Sequence, residues 1–363
     1  MTPELMRRAR RRDRRVYLFS HPLLFALLTA TRRRPVRRLG GTVLVHSRDA
    51  FRDGLTRIPL DRSAAGTTGG AAGELTGGEL LFNQDGAGHR GSRRTIMEAL
   101  GAEGVHRLRP VWTAVLDHRL APLAAGAPID LVDVAAELAG ATTAALLGLG
   151  TDPHTLATAA RTAAAAASRE HLPGRPRRRA GQTAARTATA ALTALLDVPA
   201  EDRALAAMLA VAAINTTVAA LPRAVAWCAD ADLWSYADSD PDALTSELLR
   251  VTAPTPLLPR VAAGPGTAGG CPVRAGDRLV LVARHAADAH RTGPCPADPA
   301  PASVAQLVFG LGAHACPGAR LARLQLTDTL RALAPHRPRV VGARVDRRSA
   351  LPGWSRLIVA ATP

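Results

Sequence analysis

Lysine is absent from this sequence of 363 residues, and every one of its 46 basic side chains is an arginine. Such a bias, beside abundant Ala, Gly and Pro, is what a GC-rich genome imposes at tolerant surface sites. The formal charge of +16 therefore says little about partners. No recognised nucleic-acid module accompanies it, so no nucleic acid is expected as a ligand. Aromatic residues are scarce, 3% against 47% hydrophobic overall. Alanine and leucine dominate the apolar set, and both lose little side-chain freedom in a helix, so a mainly α chain with small β-sheets is expected. Only four cysteines occur, Cys228, Cys271, Cys295 and Cys316, and no two form a CxxC pair. Neither a zinc site nor a disulfide framework is indicated, and a reducing cytoplasm fits. By default each is a small buried hydrophobe.

No transmembrane segment is expected either. The apolar stretch Val16 to Ala30, set between two arginine runs, mimics an anchor. It falls short of the roughly 20 residues a bilayer requires and is interrupted by Ser20, His21 and Pro22. Residues 1–15 read as a basic tail, free to be disordered or to touch an anionic membrane, with His21-Pro22 opening an amphipathic helix over Leu23 to Thr31. A strand follows at Gly41 to His46 and a helix at Asp49 to Leu55. Residues 60–80 are rich in Gly, Ser and Thr and read as one long loop. Helical periodicity covers His89 to Leu123, Leu131 to Leu149, Thr155 to Ala167 (ending near Pro173-Gly174), Gln182 to Leu196 and Leu205 to Ala229, with Pro222 expected to kink the last. Arg175 to Arg179 reads as an exposed turn. After the helix at Leu244 to Arg250 the texture turns to short extended pieces, best at Arg278 to Ala283, then a loop over 286–303. A last strong helix spans Ala319 to Leu333, and strands near Val340 and Leu357 close the chain. With no internal repeat and no linker, 1–363 reads as a single domain.

The sharpest local pattern is Phe309-Gly-Leu-Gly-Ala-His-Ala-Cys316-Pro-Gly318, running into Leu321-Ala-Arg323. Two glycines precede the cysteine on a loop, and Gly318 and a helix follow it. A metal-binding thiolate needs this setting: amide donors and a helix start to lower its pKa, and glycines that let backbone approach a flat cofactor. A buried cysteine at a helix start is the bland alternative. The spacing of Phe309, Gly312, Cys316 and Gly318 resembles the FxxGxxxCxG signature of the cytochrome P450 superfamily. Three further segments resemble that family's motifs, in its order. They are Asp85 with His89 and Arg93 (HxxxR of the C helix), Ala212 to Thr217 (the oxygen-binding stretch of the I helix), and Glu247 with Arg250 (ExxR of the K helix), followed by Arg260.

The resemblance implies the cytochrome P450 fold and haem b (iron protoporphyrin IX), with Cys316 as the iron ligand. His89, Arg93, Arg260 and His314 would hold the haem propionates, since arginine grips carboxylates bidentately and stays charged, while Phe309 and Gly318 flank the cofactor. Thr216 and Asn215 would attend oxygen at the distal side. The Glu247–Arg250 pair would brace the loop beneath the haem. The 60–80 loop, Ala212, Ala213, Thr216 and Pro256 to Leu258 would line a substrate pocket.

The implied reaction inserts one oxygen atom from O2 into a small molecule, free or carrier-bound, of the secondary-metabolite kind. With no flavin or iron–sulfur segment in view, electrons would come from a separate ferredoxin and its NAD(P)H-dependent reductase. Departures from the family pattern bear on mechanism. Ala213 and Asn215 stand where it commonly has Gly and an acid, and residues 286–303 lack its aromatic and arginine pattern. An amide cannot relay a proton, although it can orient a water. Two alternatives are therefore carried: altered haem-thiolate chemistry (peroxide-driven oxidation, coupling or dehydration), and a silent member that only binds a partner.

Overall fold

The computed structural model describes residues 3–76, 81–171 and 179–362. Its centre is a 29-residue helix, Arg203–Ala231, apolar over most of its surface. A helix of that kind must be covered on every side. Its C-terminal half is buried in the main core, and its N-terminal half borders an internal cavity. Among the described residues it is the one helix long and apolar enough to cross a membrane. That property comes from its place in the interior. The helices Leu131–Leu147 and Pro153–His171 pack on it through alanines, whose small side chains let backbones approach closely. The helix runs on through Pro222 to Ala231, so the expected kink does not end it.

Helix ends follow local chemistry. Asp130 caps Leu131–Leu147 by accepting from the Val132 amide, and Gly148, in the left-handed region, ends it. Asp240 caps Pro241–Thr252 in the same way, with Pro241 at the first helical position. The periodic run from 89 onward is two helices, Gly86–Leu100 and Ala102–Ala124, parted at Gly101. The last strong helix is Ala319–Leu333, as expected.

The β-structure is small. A five-stranded sheet takes the order Val36–Leu39, Thr42–Val45, Arg278–Leu281, Leu258–Ala262, Leu60–Asp61. Its second and third strands are parallel, pairing Val43 with Leu279, and the other pairs are antiparallel. Ile129–Asp130, Trp354–Ala360 and Arg339–Val345 form a three-stranded sheet, and Gly266–Ala268 with Cys271–Val273 a hairpin.

Three expectations are corrected. Residues 60–80 are not one loop, because they hold the edge strand Leu60–Asp61 and a helix at Thr68–Thr76. The apolar helix Pro22–Thr31 is not amphipathic, since its outer face is as apolar as its inner one. Residues 1–15 are no loose tail. From Pro3 they form the helix Pro3–Ser20, packed against the long central helix. The reason is Asp13, a buried acid inside an arginine run, which pairs with buried Arg223 and Arg284. Arg223 also donates to the Tyr17 hydroxyl, which itself donates to the Thr252 carbonyl. A buried acid with two arginine partners ties the segment down far more firmly than any exposed pair could. Residues 172–178, which include most of the expected exposed turn, lie outside the described residues, as do 77–80.

A buried histidine cluster sits beside the five-stranded sheet. His46 and His285 share a hydrogen bond through their Nδ1 atoms at 2.8 Å, with the His290 ring 4.4 Å from His285. One of the two must lack a proton for that bond to exist. Burial lowers His46 and His290 to about 4 and His285 to about 2, the last also through its histidine neighbours. The unfolded chain takes up these protons below about pH 6.5, whereas the folded one resists. Stability should therefore be greatest above pH 6.5 and fall steadily toward pH 4. Urea midpoints measured across that window check this. His46→Gln, which cannot titrate, should flatten the profile, and an unchanged slope would remove the cluster from the account.

Candidate functional site

A cavity of about 670 Å³ lies between the N-terminal half of the central helix and the loop before Ala319–Leu333. It falls within the range of ligand and cofactor sites. The loop is shaped by its glycines. Gly310 and Gly312 have φ of +76° and +71°, which only glycine adopts without strain. The turn then lets the Cys316 amide donate to the Phe309 carbonyl at 2.8 Å. The Phe309 ring lies under the Arg323 guanidinium, 5.2 Å away, and Arg323 is fixed by Ser246. Gly318 has ordinary helical-side dihedrals, so its freedom is not needed for φ. A Cβ there would stand 3.8 Å from the Cys316 Sγ, an ordinary contact.

Cys316 opens onto the cavity. Its thiol is nonetheless poorly solvated, and burial pushes its pKa up, only partly offset by the Gly318 amide and Arg93. The helix start and amides expected to lower it do not win on their own. A cation placed on the sulfur would deprotonate it outright. The other cysteines are placed for packing. Cys228 is fully buried in the core, with its thiol pushed up by burial, Cys271 lies in the surface hairpin, and Cys295 lies in the loop before residue 300.

Five side chains crowd one end of this cavity. His89 and Arg93 come from the helix Gly86–Leu100, His314 from the turn before Cys316, Arg260 from the strand Leu258–Ala262, and Arg62 from just past the edge strand. The rings of His89 and His314 stack at 3.8 Å. Both Nε2 atoms are buried without a hydrogen-bond partner among the described residues, as are the Nε atoms of Arg62 and Arg260. Burial, then Arg62, lowers His314 to about 3, and His89 is lowered by burial and then Arg93. Burial, with Arg62 second, lowers Arg260 to about 10. Arg93 reaches the Ala315 carbonyl at 2.8 Å, joining this group to the cysteine loop.

Strand pairing explains the crowding. Asp61 stands opposite Val261, and one step further in that antiparallel register sets Arg62 against Arg260. Like charges directly opposite repel. The nearby acid is Asp85, whose carboxylate already caps Gly86. Desolvated guanidinium nitrogens and partnerless imidazole nitrogens without a carboxylate between them fit an anion that the chain itself does not supply. A haem, with two carboxylates on one edge and an iron for the Cys316 sulfur, meets both demands. Sequence reasoning missed Arg62, which sits in a Gly- and Ser-rich stretch and is marked only by strand pairing.

The other predicted residues also gather here. Ala212, Ala213, Asn215, Thr216, Pro256, Leu257 and Leu258 all line the cavity, as do Gly66 to Gly69 from the former loop. Asn215 spends its amide on the carbonyls of Val211, at 2.8 Å, and Ala160, at 3.4 Å, tying the central helix to its neighbour. The Thr216 hydroxyl donates to the Ala212 carbonyl at 2.8 Å and keeps its lone pairs for other partners. Thr143 and Thr189, not singled out from sequence, line the cavity with buried hydroxyls that lack partners among the described residues.

Glu247 and Arg250, 1% and 3% exposed, form a bidentate pair at 2.6 and 2.7 Å behind this loop. The carboxylate also accepts from the amides of Cys295 and Ala300. Arg250 donates to the carbonyls of Ala287 and Gly293 and to Thr292. The pair is thus a clamp on residues 287–300, and the poor sequence signal of that stretch hides an ordered segment.

No protein-family model and no curated protein matches this chain in sequence. Solved structures do match it in shape. The cytochrome P450 CYP175A1 from Thermus thermophillus superposes with a TM-score of 0.78 at 21% identity, covering 95% of this chain and 96% of that one. P450BioI, solved in complex with hexadec-9Z-enoic acid ligated acyl carrier protein, gives 0.75 at 17% identity, covering 95% and 99%. A mutant of P450 EryK in complex with erythromycin B gives 0.74 at 22%, covering 95% and 97%. Helices, mixed sheet and cysteine loop together define the cytochrome P450 fold. This chain adopts that fold over nearly its whole length.

Proposed function

We propose that this chain is a haem-thiolate monooxygenase of the cytochrome P450 family, inserting one oxygen atom from O2 into a small secondary-metabolite substrate. The observation that carries this is the pairing of Cys316, opening onto the cavity, with the buried, partnerless nitrogens of Arg62, Arg260, His89 and His314. Haem b bound there would supply oxygen activation, which no side chain of this protein can perform. The electron donors proposed are a separate ferredoxin and its NAD(P)H-dependent reductase, and the cytoplasm is the proposed compartment.

The residues divide the remaining work. Cys316 binds as thiolate, and the Gly318 amide and Arg93 stabilise its charge. Arg62, Arg93, Arg260, His89 and His314 would hold the cofactor carboxylates, which would give partners to the buried nitrogens of Arg62, Arg260, His89 and His314 that lack them. Phe309 and the leucines keep water from the buried face. Thr143 and Thr189 offer hydroxyls in an otherwise apolar chamber, which suits a mostly apolar substrate bearing a hydroxyl or carbonyl. Structures of the same fold are described with erythromycin B and with an acyl carrier protein ligated to hexadec-9Z-enoic acid.

Proton delivery falls to Thr216. With its hydrogen on the Ala212 carbonyl, the Thr216 Oγ1 can accept from a water and pass a proton by rotating. Asn215 has no titratable group and its amide is already engaged, so it acts here as a helix tie. Thr216→Ala is expected to lower product formed per NAD(P)H consumed by about tenfold or more, with hydrogen peroxide released instead. Unchanged coupling in that variant, together with turnover driven equally well by added peroxide, would favour the altered-chemistry reading.

A further inference from the structure

The helix Pro22–Thr31 is hydrophobic on every side, yet only half of it is covered. Its inner residues Phe25 and Leu28 pack on Tyr17 and Val282. Its outer face is Pro22, Leu23, Ala26, Leu27 and Ala30, all exposed. Even its two polar residues turn their hydroxyls back to the helix, Thr29 to the Phe25 carbonyl and Thr31 to that of Leu27. Leu23 is 86% exposed, with Phe19 at 48% and Leu18 and Leu27 each at 42%. Of seven large apolar side chains exposed among the described residues, five lie between Leu18 and Leu39. Scattered exposed leucines are ordinary, whereas a concentration of this kind marks a surface that is covered by something.

The charge around the patch identifies the partner. From Arg14 to Arg48 the sequence has eight arginines and not one acid. Arg14, Arg15, Arg33 and Arg34 flank the helix at both ends, all exposed and without an ion pair to another described residue. Arg347 adds a further cation over the Phe19 ring. An apolar stripe framed by arginines is the composition that settles into the headgroup layer of an anionic bilayer: leucines enter the acyl boundary and guanidiniums pair with phosphates.

We infer that the face formed by Phe19, Leu23 and Leu27 with its flanking arginines docks this protein on an anionic membrane surface. The chain lies on the bilayer there and does not cross it. The inner residues Leu24 and Phe25 line the cavity, so a bilayer against the outer face is one helix away from it. This docking stands on surface chemistry alone and does not depend on the haem reading.

The test is sedimentation of the full chain with vesicles of phosphatidylglycerol and, separately, of phosphatidylcholine. Binding to phosphatidylglycerol should fall with added salt, be weak on phosphatidylcholine, and drop about tenfold or more in a Leu23→Asp, Leu27→Asp double variant. Leu23→Gln, at the most exposed position, should weaken binding while leaving the circular dichroism spectrum unchanged. Equal binding of wild type and both variants would show a non-specific arginine effect and overturn the proposal. So would absence of binding to phosphatidylglycerol, or a wild-type dimer that the variants convert to monomer, since a second copy would then be what covers the face.

Discussion

Glu247→Ala is expected to yield little or no stably folded protein, and none that retains haem. The carboxylate collects four hydrogen bonds, two from Arg250 and one each from the Cys295 and Ala300 amides. Removing it leaves a buried guanidinium without its counter-charge and two part-buried amides without their acceptor. Loss of one partner of such a pair costs about 3–5 kcal/mol. Set against a typical total of about 5–15 kcal/mol, that runs from about a fifth of the stability to all of it. An exposed i, i+3 pair would contribute only a few tenths of a kcal/mol. Thermal unfolding and haem content of the purified variant separate the two cases. Glu247→Gln should be intermediate, because it still accepts from the loop amides but no longer balances Arg250. A variant Glu247→Ala with wild-type stability would show that residues 287–300 are held by something else.

Much of this architecture was legible from residue order, and for identifiable reasons. The cysteine loop is readable because its constraints are local: Gly310 and Gly312 must be glycine to take positive φ, and Cys316 must follow at the distance that turn allows. The central helix and the Ala319–Leu333 helix are readable because apolar periodicity over several turns has few other solutions. Glu247 and Arg250 were placed correctly through resemblance, since their spacing alone fits any exposed helix. What stayed hidden depends on contacts between distant segments. Thr42–Val45 pairs with Arg278–Leu281 across more than half of the chain, and no local pattern announces that. Arg62 belongs to the site only because its edge strand pairs with the strand carrying Arg260. The N-terminal segment misled through its charge. Asp13 looks like one more solvated residue in an arginine run, and only the fold brings Arg223 and Arg284 to it. Pro22–Thr31 was read as amphipathic, and only the fold shows that its exposed face is as apolar as its covered one.

The charge cluster at the cavity makes a point about stability as well as function. The Nε atoms of Arg62 and Arg260 and the Nε2 atoms of His89 and His314 are buried without hydrogen-bond partners among the described residues, a costly arrangement for the protein alone. Such strain is characteristic of sites whose ligand completes them. The same reasoning separates Cys316 from the three other cysteines, which lie in the core, in a surface hairpin and in the clamped loop.

The most direct test of the central claim is the absorption spectrum of the haem-loaded protein, reduced and saturated with carbon monoxide. A cysteine thiolate opposite the bound gas gives the strongly red-shifted Soret band that nitrogen ligands do not produce. Wild type is expected to show it in full. Cys316→Ala removes the sulfur from a cavity-facing loop position and no core contact, so it should remain folded while losing the band and all NAD(P)H-dependent oxidation. Cys271→Ala and Cys295→Ala should keep both. A wild-type band at the position of a histidine-ligated haem, or one that survives Cys316→Ala, would contradict the account.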